Sequence, residues 1–509
     1  MLLLVAGGCI TVFVLYLVVG RYTLNRLISF ILNWFLVRRY PVQHLKWGTP
    51  LPTCPYVWPN GQGDIGKFLE GIENSEDWRQ QYGSIYRIWA GMTPEVVLTK
   101  PEHIKTVFRD SDKHLKAVNN NSGYLMSRIL GKCVGLISGE EWRCLRIVSE
   151  TAFTRSSMSN HVSFIHERVK RHLQEHESSW KFSNYGLIDP VEDLKMLPFF
   201  IVAEIIYGPL SPYMEQELRD MVPIREGLFK HVIRGGLSRF RLSRYLPTAA
   251  NKCLRSFETK WQEFNQSAYQ RALDMSLLDA PVVHLFESLR EGTITSDHLY
   301  HTLDESLYAN LDVTMGGLSW NLVFLAYNQE VQKRLRSEIQ SIQNAKQHSM
   351  HGYLTSSTSF LNACILESSR LKPLAAFSVP QSAPTDRIID GYQIPAGTNY
   401  VVDTYALNIK NDFWGSDTDH YRPNRFLDVN STEARYHFWR FGFGPRQCMG
   451  RYVADLIIRA LLVEVIGRWE LHLPKDRAKE TWNRDRESWI THPTIQLVCV
   501  PVSSTENRY

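Results

Sequence analysis

Several protein classes are excluded by what this chain of 509 residues lacks. Its eight cysteines are scattered without a Cys-x-x-Cys pair, so they do not indicate a disulfide scaffold and they fit a reducing compartment. The 57 basic against 52 acidic side chains leave a formal charge of +5, too small for this length to indicate a nucleic-acid partner. The sequence has no zinc-protease motif and no phosphate-binding loop. With 44% hydrophobic residues, it is instead typical of a folded globular protein.

The first twenty residues differ from the rest of the chain because they carry no charge. At 1.5 Å per residue, a helix of this length spans about 30 Å, the thickness of a bilayer core. Arg21 and Arg26 follow directly, and basic residues there favour a cytosolic location for what comes after. A cleaved signal peptide is the alternative, but the segment has no charged start and no clear cleavage site. The sequence therefore predicts a single transmembrane anchor over residues 1–20.

The remainder divides into a short connecting segment and one large domain. Residues 21–64 are predicted to be a membrane-proximal segment that ends in a proline-rich linker. Residues 65–509 contain no repeat, no low-complexity stretch and no linker. Ile85 to Trp89 and Val96 to Thr99 predict a β-hairpin, and Thr494 to Val500 predicts a final strand. Because most of the rest has helical periodicity, the predicted fold class is mostly α with a small β region.

The stretch FGFGPRQCMGR stands just before an amphipathic helix near the end of the chain. A cysteine in that place, Cys448, receives the positive end of the helix dipole, which favours the metal-binding thiolate. Gly444 and Gly450 allow a tight turn and close approach to a flat ligand. Phe441 supplies an apolar wall, and Arg446 is suited to pair with a carboxylate. A buried structural cysteine is the alternative, but a chance match to this register is expected about once in ten thousand chains of this length.

This motif resembles that of the cytochrome P-450 family, the haem-thiolate monooxygenases. Three other features of the family occur in the right order. Glu367 and Arg370 lie three apart on one helical face, and Arg425 stands where the third member of the family's buried Glu-Arg-Arg cluster would be. Trp142 and Arg146 have the spacing of the family's haem-propionate contact. The resemblance extends from about Trp142 to the end of the chain.

The resemblance implies a triangular helical prism with a small β region and one haem b. It implies that Cys448 is the axial ligand of the haem iron, because a thiolate pushes electron density onto iron and favours O–O cleavage. Trp142, Arg146, Phe441 and Arg446 would be further cofactor contacts. Electrons would come from NADPH through NADPH-cytochrome reductase, and the anchored microsomal type faces the cytosol from the endoplasmic reticulum membrane. The basic residues expected to receive the reductase are Lys132, Arg143, Arg440 and Arg451.

The long central helix, predicted from Ser296 to about Asn328, departs from the family pattern. In the family this helix carries Ala/Gly-Gly-x-Asp/Glu-Thr-Thr/Ser over the haem, and the aligned stretch here is ANLDVT. Asn310 replaces the usual glycine, and Val313 replaces the threonine that follows the acid. The residues that match the pattern are Ala309, Asp312 and Thr314.

Val313 has no hydroxyl and cannot take part in the proton steering that the family's threonine performs. Three interpretations remain open. Asp312 relays protons with Thr314 or ordered water, or a polar substrate supplies the hydroxyl. Alternatively, the enzyme desaturates, couples or rearranges its substrate without returning oxygen to carbon. The structural alternative for Asp312 is a satisfied polar group in a buried helix.

Two further stretches resemble the family's substrate-facing loops, Leu374 to Val379 and Trp489 to Thr491. Phe377, Ala309 and Val313 are predicted to contact an apolar or moderately polar substrate, with a core role as the alternative for Phe377.

Gln381 stands where many relatives place an arginine that binds a haem propionate. Arg146 and Arg446 are therefore the stronger candidates for that contact.

The stretches GYQIPAGT, VDTYALN and YRPNRFL resemble filamentous-fungal members, many of which tailor secondary metabolites. The sequence thus predicts a membrane-bound monooxygenase that hydroxylates or epoxidises a small molecule, with desaturation or oxidative coupling as further outcomes. A reductase-independent haem-thiolate peroxygenase or isomerase and a non-catalytic haem or ligand carrier are the alternatives.

Overall fold

The computed structural model describes residues 2–345, 349–474, 484 and 486–502; within its helices it leaves out the side chains of residues 2–19, 21, 180, 181, 310 and 431. Helices dominate the described residues, as the periodicity predicted. The helices are α1 (Leu2–Arg39), α2 (Gly71–Tyr82), α3 (Pro101–Phe108), α4 (Tyr124–Ile129), α5 (Gly139–Glu150), α6 (Arg155–Glu177), α7 (Trp180–Tyr185), α8 (Met196–Tyr207), α9 (Pro212–Arg234), α10 (Ala249–Asp274), α11 (Pro281–Arg290), α12 (Ser296–Tyr327), α13 (Gln329–Asn344), α14 (Met350–Thr355), α15 (Phe360–Leu371), α16 (Thr404–Asn408), α17 (Arg425–Asp428), α18 (Ser431–Ala434) and α19 (Arg451–Arg468).

The strands form small sheets. A five-stranded sheet has the order β2-β3-β9-β6-β4, and two three-stranded sheets have the orders β1-β8-β7 and β10-β11-β5. The predicted hairpin is confirmed as β2 and β3, and the predicted final strand begins three residues later than expected. The strands are β1 (Gln43–His44), β2 (Ile85–Ala90), β3 (Thr93–Leu98), β4 (Leu115–Lys116), β5 (Leu187–Ile188), β6 (Gln381–Ser382), β7 (Arg387–Ile389), β8 (Tyr392–Ile394), β9 (Asn399–Val402), β10 (Trp469–His472) and β11 (Leu497–Pro501).

Helix α12 crosses the centre of the protein and confirms the predicted long helix to within one residue. Its start is fixed by a capping box, in which the Thr295 hydroxyl accepts from the His298 backbone N–H and the His298 ring accepts from the Thr295 N–H. The predicted apolar stripe lies in the main hydrophobic core, where its leucines and its methionine are at most 1% exposed. Burial of this stripe holds the helix against α8, α15 and α19.

The end of α1 packs against the five-stranded sheet. Leu36 is buried against Tyr56 and Trp89, whereas the preceding turns expose large apolar side chains such as Phe30 and Trp34. Within the described residues, no helix combines the length and the hydropathy that crossing a membrane requires. The predicted anchor, residues 1–20, falls on residues whose side chains, up to residue 19, lie outside the described part of the chain. It remains a prediction.

Candidate active site

A cavity of about 520 Å³ lies between α12 and the loop that precedes α19. Cys448 lines it on the α19 side, and the α12 residues Ala309, Val313 and Thr314 line it as well. Most of the predicted site residues therefore meet at one place, although they come from distant parts of the sequence. The others that line this cavity are Trp142, Arg146, Asp312, Phe377, Phe441 and Arg446.

The cysteine loop is folded by two glycines. The Cys448 backbone N–H donates to the Phe441 carbonyl at 3.0 Å, which closes the loop. Gly442 and Gly444 have φ values of +81° and +67°, and a Cβ on Gly444 would lie 2.3 Å from the Ser111 hydroxyl. The prediction for Gly444 is thus confirmed, but Gly442 was missed. Gly450 also lies in a turn, but its φ of −78° is a value that other residues adopt, so the turn does not require glycine there. Its close approach to a flat ligand stays a prediction.

The Cys448 thiol lies deep in the protein yet is accessible from the cavity. Burial raises the pKa of this thiol, while the Gly450 N–H and the charges of Arg146 and Arg451 lower it. The helix end thus favours the thiolate, as the sequence indicated, but burial opposes it. Coordination to a metal ion deprotonates a thiol outright. An accessible thiol on the wall of a cavity is the arrangement that a thiolate-ligated cofactor needs.

Two arginines are held on the cavity wall near Trp142. The Arg446 guanidinium stacks 4.4 Å from the Trp142 ring centroid and donates to the Ile137 carbonyl at 2.8 Å. Arg146 donates to the Gln447 carbonyl at 3.3 Å and pairs with Glu150. Burial lowers the pKa of Arg446 to about 10, with Arg146 adding repulsion. This concentration of positive charge beside the thiol fits the two propionates of a haem.

Lys116 is a further cation on the same cavity wall, and no sequence pattern pointed to it. It lies in β4 directly opposite Gln381 of β6, and both side chains line the cavity. Burial lowers the pKa of Lys116 to about 8; repulsion from Arg446 adds to this, and Glu305 opposes it. The strand position that lacks the expected arginine therefore has a lysine as its cross-strand neighbour.

Asp312 lies between the main cavity and a second cavity of about 720 Å³, the polar cavity, whose lining is more polar than that of the main cavity. Its Oδ2 accepts from the Trp489 indole N–H at 2.7 Å, and its backbone carbonyl accepts from the His492 ring at 3.0 Å. His492 was missed by sequence reasoning, whereas the stretch containing Trp489 was expected near the substrate. The second cavity also contacts charged side chains, among them Lys195, Glu226, Lys230 and Glu487.

The predicted Glu-Arg-Arg cluster is present and buried. Arg370 makes two hydrogen bonds of 2.8 Å to the Glu367 carboxylate, and Arg425 donates to it at 3.2 Å. The side chains of Glu367 and Arg370 are fully buried, and that of Arg425 is 3% exposed. The cluster joins α15 to α17, so it supports the region that precedes the cysteine loop.

Most of the basic residues expected to receive a reductase are paired with acids, and this pairing lowers the net positive charge of the surface they form. Arg451 instead donates to the Tyr452 hydroxyl at 3.0 Å. The ion pairs are Lys132–Glu141 at 2.6 Å, Arg143–Glu140 at 3.0 Å and Arg440–Asp455 at 2.5 Å.

Comparison with known proteins agrees with this site. Residues 52–500 match the family model described as cytochrome P450, and the chain belongs to this family. Among its relatives, cytochrome P450 monooxygenase aclC of Aspergillus oryzae is 54% identical over 468 residues, covering 92% of this chain and 95% of aclC. Cytochrome P450 monooxygenase asaD of Aspergillus flavus is 50% identical over 476 residues, covering 94% of this chain and 91% of asaD. Cytochrome P450 monooxygenase gliC of Aspergillus fumigatus is 41% identical over 496 residues, covering 96% of each.

A solved structure of a zebra fish cytochrome P450 with progesterone superposes with a TM-score of 0.67 at 19% identity, covering 85% of this chain and 99% of that one, and supports the fold. The chain is thus a monooxygenase whose cofactor is a thiolate-ligated haem, supplied with electrons from NADPH by a reductase. Cys448 would hold the iron, and Trp142, Arg146, Arg446 and Lys116 would hold the propionates.

Proposed function

We propose that this chain oxidises a small molecule bound in the cavity between α12 and Cys448, as a step in fungal secondary-metabolite biosynthesis. The accessible Cys448 thiol on the wall of a cavity that α12 also lines is the observation that carries this proposal. The haem, when bound, activates molecular oxygen with the electrons that the reductase delivers. The three relatives described above are named monooxygenases, which does not favour a reductase-independent enzyme or a carrier.

The assignment of the ligand is tested by a carbon-monoxide difference spectrum of the reduced protein. We expect the band typical of thiolate-ligated haem in the wild type and its loss in Cys448→Ala. Cys144→Ala is the matched control, because Cys144 is also free and exposed but does not line the cavity. A thiolate band that persists in Cys448→Ala would contradict the assignment.

The reaction is tested by accurate-mass comparison of metabolites from a source strain with and without this gene. A precursor that lacks one oxygen relative to the lost product indicates hydroxylation or epoxidation. A difference of two hydrogens indicates desaturation or coupling. No accumulating precursor and no lost product would contradict a biosynthetic role.

We propose that Asp312 carries protons between the polar cavity and the main cavity, which is the first of the three interpretations of the ANLDVT stretch. Its placement supports this, because the carboxylate borders both cavities. The Trp489 indole holds one carboxylate oxygen and leaves the other to accept or release a proton. The Ser488 hydroxyl lies 3.4 Å from Nδ1 of His492 at the polar cavity, and the two groups offer protons a path to solvent.

Val313 lines the main cavity next to Asp312, so we propose that it shapes the outcome of the reaction. Val313→Thr restores the family's hydroxyl without a large change of volume. We expect it to change the amount of product formed per NADPH or the ratio of products. If both quantities stay at their wild-type values, position 313 does not determine the outcome.

We propose that residues 1–20 anchor the protein in the endoplasmic reticulum membrane with the catalytic domain in the cytosol. Their lack of charge supports this, as do the exposed Tyr22, Phe30 and Trp34 that follow in α1. We expect a variant without residues 1–20 to leave the membrane fraction in larger part than the full chain when vesicles are floated on a density gradient. Equal flotation of both proteins would contradict this anchor.

A further inference from the structure

Glu305 is a carboxylate on the wall of the main cavity that the proposed chemistry does not use. It lies in α12, one turn before Ala309 and two turns before Asp312, and thus on the same face of the helix. Its side chain lines the cavity together with Cys448 and Val313. Its negative charge also acts on Cys448, whose pKa it raises. A group in this position is close to any molecule that is oxidised in the cavity.

The loop before α5 is built to receive this carboxylate. The Gly135 backbone N–H donates to Glu305 Oε2 at 3.0 Å. A Cβ on Gly135 would lie 1.9 Å from Glu305 Oε1, so only glycine leaves room for the carboxylate at this place. The carboxylate is therefore held in one position at the cavity edge.

Burial of a carboxylate is costly unless it is fully paired. Glu305 accepts hydrogen bonds from the Gly135 N–H and from the Cys133 side chain, both of them neutral groups. Its neighbour Asp304 is instead ion-paired, because the Arg225 guanidinium donates to it at 2.8 Å. Within the described part of the chain, no lysine or arginine nitrogen lies within 4.0 Å of the Glu305 oxygens; Lys116 and Arg146 act on it only from a distance. A carboxylate can accept about four hydrogen bonds, so Glu305 retains acceptor capacity toward the cavity.

We propose that Glu305 recognises the substrate by accepting a hydrogen bond from an N–H or O–H group. The substrate class is thus a mostly apolar small molecule that presents such a donor to the α12 turn before Ala309, with the oxidised position nearer Asp312. The proposal rests on the proposed function, since it assumes that the substrate is bound in this cavity. An amine and a hydroxyl are two sources of the same chemistry, and the experiment separates them.

Three imidazoles of matched length serve as probes, because an imidazole nitrogen binds haem iron and shifts the Soret band. They are 1-(3-aminopropyl)imidazole, 1-(3-hydroxypropyl)imidazole and 1-butylimidazole, which differ only in the end group. The Kd of each is measured by spectral titration of the ferric haem-loaded protein. The readout is the ratio of the Kd of the butyl probe to that of each polar probe, and it does not depend on turnover.

We expect the wild type to prefer at least one polar probe to the butyl probe. Glu305→Gln keeps an acceptor but loses the charge, and we expect it to lower the preference for the amine about tenfold while retaining that for the hydroxyl. Glu305→Met removes the acceptor and the charge, and it should abolish the preferences for the amine and for the hydroxyl probe. Polar preferences that are absent in the wild type or unchanged in Glu305→Met would overturn the proposal, because Glu305 would then only balance charge in the protein.

Two further variants keep the result interpretable. Glu330→Gln removes an exposed carboxylate outside the cavity and should leave all ratios unchanged. If Glu305→Met fails to bind haem, Gly135→Ala displaces the carboxylate without removing it, and it should lower the same preferences; unchanged ratios would again overturn the proposal. The carbon-monoxide spectrum of each variant separates the two proposals. A thiolate band with unchanged ratios rejects only the role of Glu305, whereas a wild type without that band rejects the proposed function.

Discussion

The indole of Trp489 decides how the Asp312 carboxylate is presented. Because Trp489 donates to Oδ2, the Asp312 carboxylate is fixed within the ANLDVT stretch of α12, which departs from the family pattern. Under the proposed proton relay, this carboxylate would take over part of the role of the threonine hydroxyl that is missing at position 313. Sequence alone identified Asp312, but the indole comes from 177 positions further along the chain, and no local pattern joins the two residues.

Asp312→Asn keeps the hydrogen bond to Trp489 but cannot take up and release a proton. General acid–base groups contribute roughly 10²- to 10⁴-fold, so we expect product formation to fall by about 100-fold. The haem content and the carbon-monoxide spectrum should stay unchanged. Product formation is measured per haem under saturating NADPH.

Asp297→Asn is the control for this variant, since Asp297 lies in the same helix but is exposed. Product formation at the wild-type rate in Asp312→Asn would show that protons reach the cavity by another route.

Lys116→Met tests whether the lysine opposite Gln381 helps to hold the haem. Its ammonium is partly desolvated, which is favourable only when a negative partner is present. A charge-assisted hydrogen bond contributes about 1.5–3 kcal/mol, so we expect haem to leave the variant about tenfold faster or more. Transfer of haem to apomyoglobin measures this rate.

Lys113→Met, at an exposed lysine, should leave the rate of haem transfer at the wild-type value. A wild-type rate in Lys116→Met would mean that Arg146 and Arg446 hold the propionates without it.

At the scale of elements, the Glu367 cluster connects α15 with α17. Within the described residues Glu367 is the acid that pairs with the buried Arg370, whereas in Glu367→Gln Arg425 would keep its ion pair with Asp417 at 2.6 Å. Removing one partner of a buried ion pair costs about 3–5 kcal/mol. We therefore expect the free energy of unfolding to fall by about that amount. It is measured by denaturant titration of the haem-loaded protein.

Glu330→Gln makes the same chemical change on the surface and should alter the stability little. If Glu367→Gln is as stable as the wild type, the cluster does not support the fold.

The elements that sequence predicted well are those with a long regular pattern. Helix α12 has a buried stripe along its length, and the hairpin of β2 and β3 has six paired residues in each strand. Strands β4 and β6 have two residues each, too few for a periodicity, yet their pairing places Lys116 beside Gln381. Glu305 and Gly135 were missed for a different reason. Their contact joins a helix to a loop 170 positions away, and no local pattern connects the two.

At the scale of the whole molecule, we expect the charge near the cysteine loop to affect how the reductase approaches. The acids that pair with Lys132, Arg143 and Arg440 reduce the attraction of this surface, but Arg143 remains exposed. We expect Arg143→Glu to slow reduction of the haem by the reductase several-fold at low salt, with a weaker dependence on ionic strength. Stopped-flow reduction under carbon monoxide measures the rate.

Arg255→Glu on α10 is the matched control, since Arg255 is exposed and is not one of the four residues expected to receive the reductase. Equal rates for Arg143→Glu and Arg255→Glu would place the reductase elsewhere.

The bond between Trp489 and Asp312 also determines when the active site is completed during synthesis on the ribosome. Helix α12 and most of the cavity wall emerge well before Trp489, because chains are made from the N-terminus. A nascent chain can therefore bury α12 while the indole that orients its carboxylate is still untranslated. A chain that is terminated before Trp489 therefore lacks the group that orients the Asp312 carboxylate, even where much of its fold has formed.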